Sequence, residues 1–189
     1  MSYTAFAAQS RVASGSLVEV VTALKALSPE RATLVFDDST GHCVELDLRG
    51  TLAEALARLP ADATPPAKAG PGRPKLGVVP REVTLLPRHW DWLASQPGGA
   101  SVALRKLVEA ASRANRACDA ARLALEACHN FLATMAGNLP GFEDATRALF
   151  AGNFNAVPAF MQDWPADIRA HARHLLHEAQ NAAYEARED

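Results

Sequence analysis

The chain has 189 residues, of which 49% are hydrophobic and 21% are charged, and its formal net charge is −2. This composition permits one ordinary domain or two small ones with a packed core, and it argues against disorder along the whole chain. The apolar runs are too short for a transmembrane helix, and the first residues do not resemble a secretory signal, so we expect a soluble, cytoplasmic protein. Three scattered cysteines predict no disulfide framework.

The charges are unevenly distributed along the chain. Residues 1–67 carry a net charge of −3, residues 68–116 carry +6, and residues 117–189 carry −5. A basic block between two acidic ones is typical of a polyanion-binding segment in a soluble protein. The alternative is that the acidic flanks fold against the middle of the chain and neutralise it.

The first part of the chain, residues 1–60, predicts a small α+β domain with the order strand, helix, two strands, helix. The first strand is expected over residues 3–12, and two more over residues 32–36 and 43–48. The last two flank the sequence Asp-Asp-Ser-Thr-Gly, whose composition is typical of a hairpin turn. Alternation of apolar and charged residues indicates that the final strand is half-exposed.

Two capping boxes predict where the helices of this domain begin. Ser16 and Glu19 match the S-x-x-E pattern, as do Thr51 and Glu54. In such a box each side chain bonds the backbone of the other, which satisfies N–H groups that the first helical turn leaves free. We therefore expect one helix after each box.

A linker rich in Pro, Gly and Ala is predicted over residues 61–77. It contains Gly72-Arg73-Pro74-Lys75, which resembles an AT-hook, a motif whose extended core lies in the narrow minor groove of A·T-rich DNA. The resemblance implies minor-groove contacts from Arg73 and Lys75. The alternative is an ordinary linker string.

The remainder, residues 78–189, is predicted to begin with a short strand and two helices over residues 78–113 and to continue into a C-terminal helical bundle. Apolar residues recur at steps of three and four from Leu104 to Met135, and a matching stripe on the last helix starts at Ile168. This pattern favours antiparallel helices packed in a bundle, although the same seam could pair two chains. The fold class is therefore α+β and mostly helical.

The segment from residue 81 to 108 has the order of a short alternating strand at 81–86, a helix opened by Pro87, a Pro-Gly-Gly break, and a second helix capped by Ser101. It resembles the ribbon-helix-helix family of bacterial DNA-binding proteins, with Glu82-Val83-Thr84-Leu85 and Ser101-Val102-Ala103-Leu104-Arg105 as the matching residues. In that family two chains pair their strands into an antiparallel ribbon that enters the major groove.

The ribbon-helix-helix resemblance implies roles for individual residues. Val83 and Leu85 would point inward, and the backbone amides around Ser101 would hold a phosphate. The residues expected to contact DNA are Arg73, Lys75, Arg81, Glu82, Thr84, Ser101, Arg105 and Lys106. Glu82 is an unusual base-reading residue, because its carboxylate accepts a hydrogen bond from cytosine but repels phosphate.

The run from Gly72 to Ala111 and the later sequence FLATMAGNLPGFEDATRALFAGN are similar to a bacterial family catalogued as domain of unknown function 2239. This similarity extends over most of the chain. It implies no activity.

Other chemistry-bearing clusters give weaker indications. The last helix carries His171, His174 and His177, but steps of three residues drift around a helix, so we predict no metal site. A site at Asp37, His42 and Cys43 would make the chain a small enzyme, yet no catalytic motif accompanies it.

We expect a homodimeric regulator that binds double-stranded DNA and needs no cofactor. The alternative is a protein-interaction or scaffolding module that uses the helical seam.

Overall fold

A computed structural model describes residues 1–27, 32–60 and 79–188. The chain divides into two compact units, of which unit 1 comprises Met1–Pro65 and Ala117–Asp189, and unit 2 comprises Pro66–Arg116. The fold is α+β and mostly helical, as the sequence predicts. The predicted division at residue 60 differs from this grouping, because the N-terminal sheet and the C-terminal helices share one core.

The N-terminal part of unit 1 contains three strands and two helices. The elements are β1 (Tyr3–Ala7), β2 (Ser10–Gly15), α1 (Leu17–Ala26), β3 (Thr33–Asp37) and α2 (Leu52–Ala57). The strands form an antiparallel sheet in the order β2-β1-β3, with Tyr3 opposite Gly15 on one side and opposite Asp37 on the other.

Both capping boxes are confirmed. The Ser16 hydroxyl accepts a bond from the Glu19 N–H at 3.3 Å, and the Glu19 carboxylate accepts one from the Ser16 N–H at 2.7 Å. Thr51 and Glu54 repeat the arrangement at 3.3 and 2.7 Å. These bonds fix the first turns of α1 and α2 within segments of four residues.

The predicted first strand is wrong in one respect, because residues 3–12 fold into a hairpin rather than one strand. The chain reverses at residues 8 and 9, where Ala8 has a left-handed φ of 54°. A non-glycine residue in that conformation gives no turn signal in the sequence.

The strand predicted over residues 43–48 is absent. Only Cys43 bridges to β3, beside a bond of 2.7 Å from the Val44 N–H to the Val35 carbonyl. Beyond that point side chains bind the carbonyls, since the Lys25 ammonium donates to Leu48 at 3.1 Å. Arg58 likewise donates to the carbonyls of residues 47 and 49. A strand ladder would need the backbone groups to face a neighbouring strand instead.

Four further helices complete unit 1: α5 (Arg116–Ala136, whose first residue belongs to unit 2), α6 (Phe142–Phe150), α7 (Val157–Phe160) and α8 (Ala166–Glu188). Unit 2 contains the helices α3 (Pro87–Ser95) and α4 (Gly99–Ala114). No helix among the described residues has both the length and the apolar character needed to cross a bilayer.

The core of unit 1 joins the sheet to the C-terminal helices. The rings of Phe6 on β1 and Phe36 on β3 lie 5.6 and 5.1 Å from the ring of Phe131 on α5, and all three side chains are fully buried. The apolar stripe of α8 enters the same cluster through Ile168, Ala172, Leu175 and Ala179. Aromatic contacts of this kind add to the free energy gained from burial.

Gly41 is the residue that lets the turn after β3 approach α5. Its φ of 68° is left-handed, and a Cβ at this position would collide with the carbonyl oxygen of Ala127. A glycine is therefore required here both by backbone conformation and by the close packing.

We expect Gly41→Ala to lower the free energy of unfolding by more than about 2 kcal/mol, because strained backbone and a clash in a packed interior add together. Denaturant unfolding followed by circular dichroism measures the loss. Gly152→Ala is the matched control, since Gly152 has a similar φ of 70° but its Cβ would meet nothing closer than 3.9 Å. Equal losses in the two variants would contradict the role of the close approach.

Candidate nucleic-acid interface

The two helices of unit 2 begin at the residues that favour helix starts. In α3, Pro87 occupies the first turn, where its missing N–H costs no hydrogen bond. In α4, Gly98 precedes the first residue with a left-handed φ of 88°, and no side chain caps the helix. The chain reverses between α3 and α4 through this glycine turn, as the sequence predicts.

Residues 81–86 form neither a helix nor a strand in the single chain. The backbone groups of residues 81–85 make no hydrogen bonds to other described residues. The expected strand is therefore absent, because no described segment of the same chain supplies the neighbour that a strand needs. Pairing with a second copy stays a prediction.

Val83 and Leu85, which were expected to point inward, differ in their surroundings. Leu85 is half-buried, whereas Val83 is 56% exposed. In the expected ribbon, the strand of a second copy covers Val83. The described part of the single chain has no such strand, so Val83 is exposed.

The start of α4 lies three residues earlier than predicted, because Gly98 and not Ser101 is the capping position. The helix begins at Gly99, so Ser101 lies in its first turn and is not the capping residue. The Gly99 N–H donates to the Gln96 carbonyl at 3.0 Å, while the N–H groups of Ala100 and Ser101 lie in the uncapped first turn. Such groups and the positive end of the helix dipole favour an anion.

Arg105 and Lys106 follow on the exposed side of α4. The Arg105 Nε donates to the Ser101 carbonyl at 3.1 Å, which holds the guanidinium beside the first turn of the helix. A positive side chain and the helix N-terminus therefore lie together on the surface.

The structure brings some of the predicted DNA-contacting residues together and leaves others apart. Arg81 and Arg105 line one cleft. Glu82 and Thr84 are exposed and do not line that cleft. The AT-hook-like residues Arg73 and Lys75 lie outside the described residues.

The residues of the alternative enzyme site, Asp37, His42 and Cys43, differ in their surroundings. The Asp37 carboxylate accepts bonds from the Ser39 N–H at 2.9 Å and from the Ser39 hydroxyl at 2.6 Å, which is turn chemistry. The His42 ring lies 3.3 Å from the Asn130 amide nitrogen. Burial raises the pKa of the Cys43 thiol above its ordinary value, which makes the nucleophilic thiolate scarcer.

A buried pair in unit 1 was not predicted from the sequence. The Nε2 atom of His171 on α8 lies 3.3 Å from the Oδ1 atom of Asp38, and their side chains are 2% and 10% exposed. The two atoms are close enough for an ion pair but are not aligned as a hydrogen bond. Thr4 donates to the other carboxylate oxygen at 3.1 Å, and the Phe131 ring packs 4.6 Å from the imidazole.

The pKa of Asp38 reflects two opposing effects. Burial raises it, but the contacts with His171, Ser2 and Thr4 outweigh burial and hold the pKa below the ordinary value of 3.8. The pair therefore links the end of β3 to α8 electrostatically.

The sequence held a signal for this pair. His171 lies three residues after Ile168 and four before Leu175, so its position belongs to the apolar stripe of α8. A polar residue on such a stripe needs a buried partner.

The histidines of α8 do not converge on a common point. The His174 ring lies 6.0 Å from that of His171, and the exposed His177 contacts Asn181 at 3.0 Å. Across residues 1–27, 32–60 and 79–188, no group of three His, Cys, Asp or Glu side chains is placed to hold a metal ion.

These features define a mostly helical α+β protein in which a basic unit of two helices, residues 66–116, interrupts the sequence of a sheet-and-helix unit. A family model described as "Uncharacterized protein conserved in bacteria (DUF2239)" matches residues 2–176, and the chain belongs to that family. No curated protein and no solved structure gives a significant match.

We expect Asp38→Asn to lower the free energy of unfolding at pH 7 by roughly 1–3 kcal/mol, because His171 loses its partner inside the core. Since the folded pKa of Asp38 lies below its ordinary value, its contribution is present above that value and is lost as pH falls through the folded pKa. The variant should therefore show a flatter stability profile below about pH 5.

Denaturant unfolding at a series of pH values measures this profile. Asp37→Asn is the control, since Asp37 bonds Ser39 at the same turn without a buried histidine. A profile in the Asp38 variant as steep as that of the unchanged protein would contradict the assignment.

Proposed function

We propose that this protein is a cytoplasmic, homodimeric transcriptional regulator that binds double-stranded DNA through unit 2. Residues 81–86 of two copies pair into an antiparallel ribbon that enters the major groove. Thr84 and Arg81 meet base edges, and Glu82 accepts a hydrogen bond from cytosine. Arg73 and Lys75 of the linker add contacts in the minor groove.

One observation carries this proposal: residues 81–85, whose backbone has no partner among the described residues, lie directly before two helices in the basic part of the chain. Residues 66–116 carry nine basic and three acidic side chains. An unpaired backbone offers a row of donors and acceptors to a matching strand. Two strands paired in this way match the width of the major groove.

The exposed apolar side chains of unit 2 support a second copy as the partner. Among its described residues only Leu93 and Ala103 are buried hydrophobics. In the same described part of unit 2, seven large hydrophobic residues are exposed: Val79, Val83, Leu86, Trp90, Trp92, Leu107 and Val108. A surface of this kind marks an interaction site.

Phosphate groups are anchored at the start of α4. The first-turn N–H groups of Ala100 and Ser101 point out of the helix, and Arg105 lies beside them. Lys106 supplies a further positive charge on the exposed face. These contacts fix the position of the protein on the duplex, while the ribbon reads the sequence.

A protein-interaction module is the second candidate function. It is favoured by Leu107 and Val108, which lie exposed at 48% and 64% on α4 and would suit a partner helix. This module differs from the DNA-binding protein in having no affinity for duplexes.

We expect the affinity for a duplex to fall as salt rises, with a slope of log affinity against log salt of about −5 for six neutralised phosphates. Arg105→Gln should flatten the slope by about one unit, and Thr84→Ala should change the sequence preference more than the slope. Fluorescence anisotropy with labelled duplexes measures both.

Arg122→Gln is the control for the salt experiment, since Arg122 lies in unit 1 and pairs with Glu126 on its own helix at 3.1 Å. An unchanged slope in the Arg105 variant, or the absence of duplex affinity near physiological salt, would contradict the proposal.

We expect Val83→Asp to dissociate the dimer and to abolish duplex binding, because a charge would replace an apolar side chain at the ribbon's inner face. The exposure of Val83 in one chain means that the monomer should fold normally. Sedimentation equilibrium at several concentrations measures the association.

Cys118→Glu tests the alternative dimer through the helical seam, since Cys118 is an exposed seam position on α5. This variant should remain dimeric. If it dissociates while the Val83 variant does not, the seam is the interface and the ribbon is wrong.

A further inference from the structure

A cleft of about 850 Å³ lies on unit 2 between α4 and the residues before α3. Four arginines line it: Arg81, Arg105, Arg113 and Arg116. Its volume falls in the range of roughly 300–1,000 Å³ that is typical of sites for small organic molecules. The cleft therefore combines the size of a ligand site with a strong positive charge.

The charge of the cleft is only partly balanced. Glu109 lies 2.5 Å from Arg113 and is the one acidic residue that lines the cleft among the described residues. Arg105 donates its Nε to a backbone carbonyl, which leaves its two terminal nitrogens for a ligand. Within the described parts of the chain, no carboxylate lies within 4 Å of Arg81 or Arg116.

The lining between the arginines is apolar. Val79 and Val108 are each 64% exposed, and Leu104 is half-buried beside them. An inorganic phosphate or a DNA phosphate would pair with the guanidinium groups but leave these side chains in water. A ligand with an anionic head and an apolar body would satisfy both parts, since each methylene removed from water improves affinity by up to about fourfold.

We propose that the cleft binds a small organic anion with an apolar chain or ring, such as a medium-chain carboxylate, and that this ligand displaces DNA. The guanidinium groups bind the carboxylate, and the apolar body lies against Val79, Leu104 and Val108. Only the displacement rests on the proposed function, because Arg81 and Arg105 belong to both sites. The bound carboxylate neutralises one positive charge and occupies guanidinium nitrogens that would otherwise face DNA.

The binding is tested on the full chain by isothermal titration calorimetry with octanoate, butyrate and 1-octanol. Octanoate should bind saturably with a dissociation constant below about 1 mM. Butyrate should bind at least roughly tenfold more weakly because it lacks four methylenes, and 1-octanol should be similarly weaker because it lacks the charge. Equal affinity for octanoate and butyrate, or for octanoate and octanol, would overturn the proposal.

Variants locate the site. Arg116→Gln and Val108→Ser should each weaken octanoate binding by roughly three- to tenfold, and neither residue is among those assigned to DNA. Arg88→Gln is the matched control, since Arg88 is an exposed arginine of the same unit that does not line the cleft. An equal loss in the Arg88 variant would overturn the assignment to this cleft.

The displacement is tested with a labelled duplex at constant ionic strength. Octanoate at saturation should lower duplex affinity by roughly tenfold, whereas acetate at the same concentration should not, which separates displacement from a general salt effect. Saturable octanoate binding without loss of duplex affinity would overturn the displacement. If the protein binds no duplex at any salt concentration, the proposed DNA-binding function is wrong. The calorimetry would still test whether the cleft binds octanoate.

Discussion

The helices of unit 2 leave much of the unit's apolar surface exposed, and the proposed dimerisation and DNA binding depend on this exposed surface. Helices of nine and sixteen residues are marginally stable alone, so packing must hold them. The described part of the unit buries only Leu93 and Ala103 among its hydrophobic residues. A strand from a second copy would supply both the backbone partners that residues 81–85 lack in the described part of the chain and a cover for Val83. Dimerisation and DNA recognition would then be one event.

Unit 1, by contrast, buries its apolar side chains between elements of the same chain. Its core joins residues distant in sequence, since Phe6 and Phe36 of the sheet pack on Phe131 of α5. The pair of Asp38 and His171 adds an electrostatic link at the edge of this aromatic cluster. A buried pair of this kind contributes little net stability compared with apolar packing, but removal of one member is costly. The pair therefore specifies how the sheet and α8 dock.

Local signals in the sequence were sufficient for part of the fold. Both capping boxes, the glycine turn before α4 and the buried stripe of α8 follow from contacts within a few residues, and all four are observed. The hairpin at Ala8 was missed because its left-handed turn uses no glycine, asparagine or proline. The strand over residues 43–48 failed because Lys25 and Arg58 bind its carbonyls, and such tertiary competition leaves no trace in an alternating pattern. At the candidate interface the residue types could be read from the sequence. That Arg81 lines one cleft with Arg105 and Arg113 of α4 and Arg116 of α5 could be seen only in the fold.

The interrupted order of unit 1 has a consequence for synthesis on the ribosome. Its sheet emerges first, yet Asp38 must await His171, which follows 133 residues later. Contacts that close such long loops form slowly, whereas the helix pair of unit 2 needs only neighbouring residues. The two helices of the inserted unit can thus pair while the nascent sheet still exposes Phe6 and Phe36, and the sheet stays open to aggregation until α5 and α8 have left the tunnel.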